Sequence, residues 1–204
     1  MAIRKTGVTG ESAKNYVIGA GVVGYNFKYT SATQEFDFES FGATSGGTAI
    51  GLTTTLRQME IDGVLSTPAG GDMIEETEGT MEINLLEATL ENIKRLIIAE
   101  DVTGDGTTMP AEAKGVRPKG RVGMEDYIKD LVHISPLSDG GFLVIKFDYA
   151  IVTEGLEFNP QDGEDNLITA TFAARTNPDI IDDASLPVTI WRLPATLFEP
   201  PVEG

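Results

Sequence analysis

The stretch Phe142-Leu143-Val144-Ile145-Lys146-Phe147-Asp148-Tyr149-Ala150-Ile151-Val152 decides the fold class. One parity is wholly apolar, Leu143, Ile145, Phe147, Tyr149 and Ile151, while the other carries Val144, Lys146, Asp148 and Ala150. Successive side chains of an extended chain point to opposite faces, so a period of two predicts a strand with one buried face. Shorter runs of the same kind lie at residues 16–23, 55–61 (Arg57, Met59 and Ile61 on one parity), 80–86 (Met81, Ile83, Leu85), 130–134, 167–174 and 188–193 with Trp191. Such short strands, punctuated by 23 glycines and 10 prolines, predict a mainly β chain folded as a sandwich or barrel.

One segment breaks the period. Leu86, Leu90, Ile93 and Ile97 are spaced four, three and four apart, as on one face of an amphipathic helix over residues 86–100. Glu87 and Glu91 fall in its first turns and Lys94 and Arg95 follow, an order that suits the helix dipole and allows a Glu91–Arg95 pair. A single flanking helix over one face of a β-sandwich or partial β-barrel is the expected assembly.

With 204 residues and 41% hydrophobic content, the chain is expected to form one domain, residues 1–204. Long loops are expected at residues 29–53 and 101–123, both rich in glycine, and a proline-flanked tail at residues 194–204, free or laid on a neighbour. No apolar run approaches the ~18 residues that would span a bilayer, and no apolar segment follows Arg4 and Lys5, so neither a membrane span nor a secretory signal is expected. The absence of cysteine excludes disulfides, thiolate metal sites and thiol nucleophiles. The 15 basic and 32 acidic residues, a net charge of −17, oppose tight binding to phosphate.

Three motifs invite chemistry. Gly19-Ala20-Gly21-Val22-Val23-Gly24 spells G-x-G-x-x-G, but the aromatic, β-prone Tyr25-Asn26-Phe27-Lys28-Tyr29-Thr30 follows where a phosphate-binding helix should start. The preferred reading is a strand whose glycines let another backbone approach closely. Residues 101–106 with Glu112 match most of a calcium loop, yet Thr103 replaces a ligand and Pro110 blocks the exiting helix, so an acidic Asp/Gly turn is expected. The single histidine, His133, would share a strand face with Ser135 but not with Asp130, so no local triad forms. The chain is therefore read as a non-enzyme with no cofactor and no metal.

The order of elements carries a resemblance. Residues 16–23, then Phe41-Gly42-Ala43-Thr44-Ser45-Gly46-Gly47, then Arg57-Gln58-Met59-Glu60-Ile61-Asp62-Gly63, then Leu85-Leu86-Glu87-Ala88-Thr89-Leu90-Glu91 together resemble the tail tube (major tail) proteins of long-tailed bacteriophages. The match covers somewhat under half of the chain. After Gly63 it departs from the family, where a further glycine and a basic residue are common; here Val64 and Leu65 follow.

The resemblance implies a tail-tube fold of two sheets with one helix. Six subunits would join sheets edge to edge into a ring, and rings would stack into a tube through loops and terminal arms, inside a virion assembled in the host cytoplasm. Tape-measure, tail-tip and tail-terminator proteins would be partners, and genomic DNA would pass through the lumen without specific binding. Part of the negative charge is expected to line that lumen.

Subunit contacts are expected at Gly42, Thr44, Gly46 and Gly47, in the stretch assigned to ring stacking, and at Arg57, Glu60, Asp62 and Gly63. The charged trio among the latter reads equally as an intersubunit salt-bridge network or as a solvated strand face. The rival reading from another class is an acidic β-sandwich that binds carbohydrate or calcium; one tryptophan and five tyrosines offer little for stacking on sugars.

Overall fold

The computed structural model describes residues 8–30, 35–158, 160, 162–163, 166–180 and 186–197. Among these residues the strands are β1 (Val22–Thr30), β2 (Glu35–Ser40), β3 (Thr44–Gln58), β4 (Asp72–Leu85), β5 (Ala99–Thr103), β6 (Lys114–Pro118), β7 (Ile128–Pro136), β8 (Phe142–Phe158), β9 (Ile168–Arg175) and β10 (Val188–Leu193). The α-helix is α1 (Leu90–Leu96). One antiparallel sheet runs β2-β1-β7-β8-β9-β4-β3, with β10 also on β8, and β5 and β6 form a separate hairpin. The chain is mainly β with one helix, as the period-two runs predict.

The 17-residue β8 is the spine of the sheet. One edge carries β7, and the other carries first β10, from Phe142 to Phe147, and then β9, from Tyr149 to Phe158. Val144 and Ala150 are buried as well as Phe147 and Ile151, so the first half of β8 is covered on both faces instead of one. The charged residues of the expected solvent parity are satisfied locally. The Lys146 ammonium reaches Asp130 at 2.7 Å and Asp148 at 3.0 Å. Burial would pull this lysine's pKa down, but the two carboxylates hold it above the ordinary lysine range.

The sheet wraps a single core. Met81, Ile83 and Leu85 of β4 pack with Ile168, Ala170 and Phe172 of β9, and these face Val23 and Tyr25 of β1 and Leu131 of β7. Phe41, in the three-residue link between β2 and β3, joins the two halves, its ring centroid 5.1 Å from Tyr25 and 5.9 Å from Phe172. Burying each such side chain contributes about 1.5–3 kcal/mol.

The helix is shorter than its sequence pattern and turned about its axis. Asn92 and Leu96 are its buried residues, whereas Leu86 and Leu90 are exposed. The reason is a polar anchor: the Asn92 side-chain amide donates to the carbonyl of Phe41 at 2.8 Å and to that of Glu87 at 3.3 Å. Thr89 caps the first turn by accepting from the Asn92 amide. The Glu91–Arg95 pair forms at 2.8 Å, and the Arg95 guanidinium lies 4.3 Å from the centre of the Tyr25 ring.

Residues 29–53 are not the long loop their composition suggests. They hold the end of β1, all of β2 and two-thirds of β3. Both β2 and β3 sit at the ends of the sheet, where most side chains stay exposed, so few need be apolar. Of residues 101–123, the end of β5 and all of β6 pair as a hairpin, and the turn between them and residues 119–123 are irregular. Of the expected tail, Ala195–Leu197 forms a single helical turn; residues 198–204 lie outside the described residues.

Candidate assembly surfaces

Three surfaces stand out. The first is an edge. β3 pairs with β4 along one side over its whole length, while its other side, 15 residues long, has no strand partner among the described residues. Natural edge strands are usually blunted by lysine, proline or brevity, and β3 contains neither lysine nor proline. Gly46 and Gly47, at φ +78° and +83°, make the one irregularity near its start, where the register shifts between Thr44 and Thr48.

The second surface is the outer face of the quarter formed by β3, β4, β9 and the end of β8. Met81, Ile83 and Leu85 point to the core, so the alternate residues Glu76, Glu78, Thr80, Glu82 and Asn84 point away from it. Their neighbours across the ladders are Thr55, Thr53, Gly51 and Ala49 on β3 and Ala173, Thr171 and Thr169 on β9, with Glu154 and Glu157 beyond on β8. This patch carries five carboxylates, hydroxyls and small side chains, and no cation.

The third comprises an arm and a separate cleft. Beyond the Thr80–Ala173 pair, β4 leaves β9 and continues with β3 alone, so residues 51–79 form a hairpin that stands off the body. Nearly all of its side chains are exposed, including Leu52, Leu56, Met59, Ile61, Val64, Met73 and Ile74. Its tip folds on itself through the Met59 amide to the Gly71 carbonyl at 2.9 Å and the Val64 amide to the Ile61 carbonyl at 3.3 Å, and Leu65 at the apex is fully exposed.

The cleft, of about 760 Å³, lies between α1, the β5–β6 hairpin and the start of β7, and is lined among others by Tyr25, Asn26, Leu90, Ile98, Val102, Lys114 and Lys129. Asn26 and Ile98 hold left-handed backbone there, at φ +56° and +49°. That conformation is unremarkable for asparagine but strained for a β-branched isoleucine, which turns the chain from α1 into β5. Burial and a hydrogen bond to the Glu39 carboxylate push the Tyr25 hydroxyl up to about 12. Lys119 is held above the ordinary lysine range by hydrogen bonds to Asp126 and Glu125.

The residues expected at subunit contacts fall into two groups at opposite ends of β3. Gly42, Thr44, Gly46 and Gly47 lie at the corner where β2 turns into β3. There Gly42 adopts φ +95° with the Glu87 carboxylate where a side chain would stand, and Glu87 accepts from the Ala43 amide at 2.8 Å. Arg57, Glu60, Asp62 and Gly63 lie at the far end, on the arm. Among the described residues these three charged groups form no ion pair with one another; the Arg57 guanidinium instead meets the Met73 sulfur at 3.3 Å. Sequence reasoning missed the arm and the cleft, because the arm joins two strands read separately and the cleft gathers chain-distant residues.

The motifs resolve into structure. Gly21, at φ +73°, lies so close to His133 and the Ile134 carbonyl that a Cβ would meet them at 2.8 and 2.5 Å, and a Cβ on Gly24 would meet Phe38 at 2.4 Å. The glycines thus permit close approach within the sheet. His133 is buried; its Nε2–H donates to the Ala20 carbonyl at 2.9 Å, leaving Nδ1 to accept from the Ser135 hydroxyl at 3.2 Å. Neither lines the cleft. Asp105 spends one carboxylate oxygen on the amides of Thr107, Thr108 and Met109, which depress its pKa strongly and make it a turn-former.

No protein-family model matches the chain, and no curated protein matches it. Among solved structures, the chain is similar to one from the virion of a native gene transfer agent (GTA) particle, at 8% identity with a TM-score of 0.39, over 78% of this chain and 92% of that one. This is a weak likeness. Among the described residues no helix is long and apolar enough to cross a membrane.

Proposed function

We propose that the chain is a structural subunit that assembles with its own copies into rings, six to a ring as the family resemblance implies, stacked as the tail tube of a long-tailed phage. The observation that carries this reading is the unguarded outer edge of β3. Fifteen residues with one side lacking a strand partner among the described residues are a template for another strand, and ring closure satisfies every such edge.

In this reading the four-stranded acidic patch is the channel wall. Glu76, Glu78, Glu82, Glu154 and Glu157, with no cation among them, repel a passing double helix over about 8 Å at physiological salt, and the small hydroxyl side chains between them leave a smooth surface. Tape-measure, tail-tip and terminator proteins would meet the ends of such a tube.

The test is electron microscopy of the purified chain, with and without salt to screen its charge, alongside an Ala49→Lys/Thr53→Lys variant that places two ammonium groups on the outer part of β3. Rings or tubes from the unaltered chain, lost in a variant that keeps its circular dichroism, support the reading. Persistent monomers even with a tail-initiating complex would rule it out, and unaltered tubes from the variant would remove the β3 edge as the joining surface.

A further inference from the structure

We propose that the β5–β6 hairpin is a lid that swings about Ile98 and closes on α1, completing a second ion pair between Lys114 and Glu91 and covering Leu90. The device belongs to a single copy and is independent of what the chain assembles into.

The hairpin is built to move as one piece. Its strands pair with each other and with no strand of the main sheet. At the base Ala99 is buried, and the Ile98 carbonyl accepts from the Lys119 amide at 2.9 Å. At the tip the Gly104 amide donates to the Ala113 carbonyl at 2.8 Å and the Gly106 amide to the Met109 carbonyl at 2.9 Å. Arg117 and Glu100 tie the two strands together at 2.5 Å.

The pivot is the strained turn. Ile98 stands at φ +49° between α1 and β5. A β-branched residue keeps that conformation only where the chain around it is fixed. Here Asn92 pins α1 to the Phe41 carbonyl, and Leu96 is fully buried. The hairpin returns to the body through residues 119–123, which have no regular structure and can follow a rotation at Ile98 that relieves the strain.

The facing charges fix what closure makes. Lys94 meets Asp101 at 2.5 Å, the first rung of a ladder between α1 and the hairpin. Glu91 lies one turn back on the same stripe of the helix, about 4.5 Å along its axis. On the hairpin Thr103 is the next residue on the face of Asp101, about 6.6 Å further on, and its cross-strand partner is Lys114. Glu91 and Lys114 are thus the second rung, and it is open. Lys114 forms no ion pair among the described residues, and Glu91, paired with Arg95, keeps 69% of its side chain exposed. Both line the cleft with Leu90 and Thr103. The cleft's charges balance, Glu91, Asp101, Glu125 and Asp126 against Lys94, Arg95, Lys114 and Lys129. Such a lining favours no charged guest and suits two walls of one chain that meet. Closure gains one exposed ion pair and the burial of Leu90, both modest, so open and closed positions lie close in free energy and both are populated.

The absence of cysteine makes the test clean. A full-length Leu90→Cys/Thr103→Cys chain is oxidised at high dilution, where its thiols join within one molecule once the lid brings their Cα atoms within about 7 Å. The expected product is an intrachain disulfide, read as lost thiol without a dimer band. Lys114→Glu should slow its formation about three- to tenfold, and adding Glu91→Lys should restore the rate. Ile98→Gly, which holds the left-handed turn without strain, should slow it about fivefold or more. Each variant is first checked for native circular dichroism. A second measurement leaves pivot and charges untouched: nitroxides on Met109→Cys and Glu82→Cys read the separation of lid and sheet, with two populated distances expected. Failure of the disulfide to form, a rate that neither Lys114→Glu nor Ile98→Gly changes, or a single narrow distance overturns the lid.

Discussion

Replacing Asn92 by alanine removes two hydrogen bonds, one that fastens α1 to the corner between β2 and β3 and one to Glu87 just ahead of the helix. The Phe41 carbonyl, beside a ring that is 1% exposed, loses its partner where water has little access. A buried acceptor left unpaired costs about 1–3 kcal/mol, and the second, partly exposed bond to Glu87 adds about 0.5–1 kcal/mol. The expected loss is about 2–4 kcal/mol, which for a domain of this size lowers the melting temperature by roughly 4–16 °C. Calorimetry or thermal circular dichroism of the unassembled chain reads it directly. Asn92→Asp sharpens the test, because its carboxylate would face two carbonyl oxygens. The folded state then binds a proton more tightly than the unfolded one, so the variant's deficit grows as pH rises through the displaced pKa and shrinks as pH falls. A melting temperature within about 1 °C of the parent in Asn92→Ala, or an Asp variant whose deficit ignores pH, would refute the anchoring role.

Gly21→Ala should destabilise by more than the ~1 kcal/mol of an ordinary glycine-to-alanine change at positive φ, because the added methyl meets the Ile134 carbonyl at 2.5 Å; equilibrium denaturation reads this, and a neutral result would contradict the close approach. The Tyr25 hydroxyl should ionise only near pH 12 by ultraviolet titration of the folded chain, and since folding raises its pKa, the stability this group contributes is complete below about pH 10 and fades as pH rises toward 12. Removing the Glu39 carboxylate with Glu39→Gln should bring that titration downward.

The strands that touch the core were legible because packing imposes a period on them: Met81, Ile83 and Leu85 alternate in sequence and are all buried. β2 and most of β3 were not, since an edge strand with exposed side chains is under no such constraint and its threonines and glycines read as loop. The phase of α1 misled for a different reason. Its apolar residues form one stripe, but an asparagine beside that stripe, which no hydrophobic pattern would turn inward, sets the buried face by bonding to a carbonyl 51 positions away. Glycines 19–24 were readable through what glycine lacks, a Cβ. The arm and cleft depend on where β4 parts from β9 and on how α1 meets the β5–β6 hairpin, and both are decided by long-range pairing.

The arm leaves the sheet toward the Phe142 end of β8, while the end of α1 abuts Gly155 near the other, which gives the subunit a direction. A molecule whose two ends differ presents unlike surfaces above and below when its copies point the same way. In the proposed tube, copies stacked in one direction form a polar polymer, with one end that presents acidic arms and another that presents open clefts. Nucleation and termination then call for two different binding chemistries: a starter must imitate one end and a stopper the other. The distinction between the front and back of the assembly is written in the point at which two hydrogen-bonded strands leave the rest of their sheet.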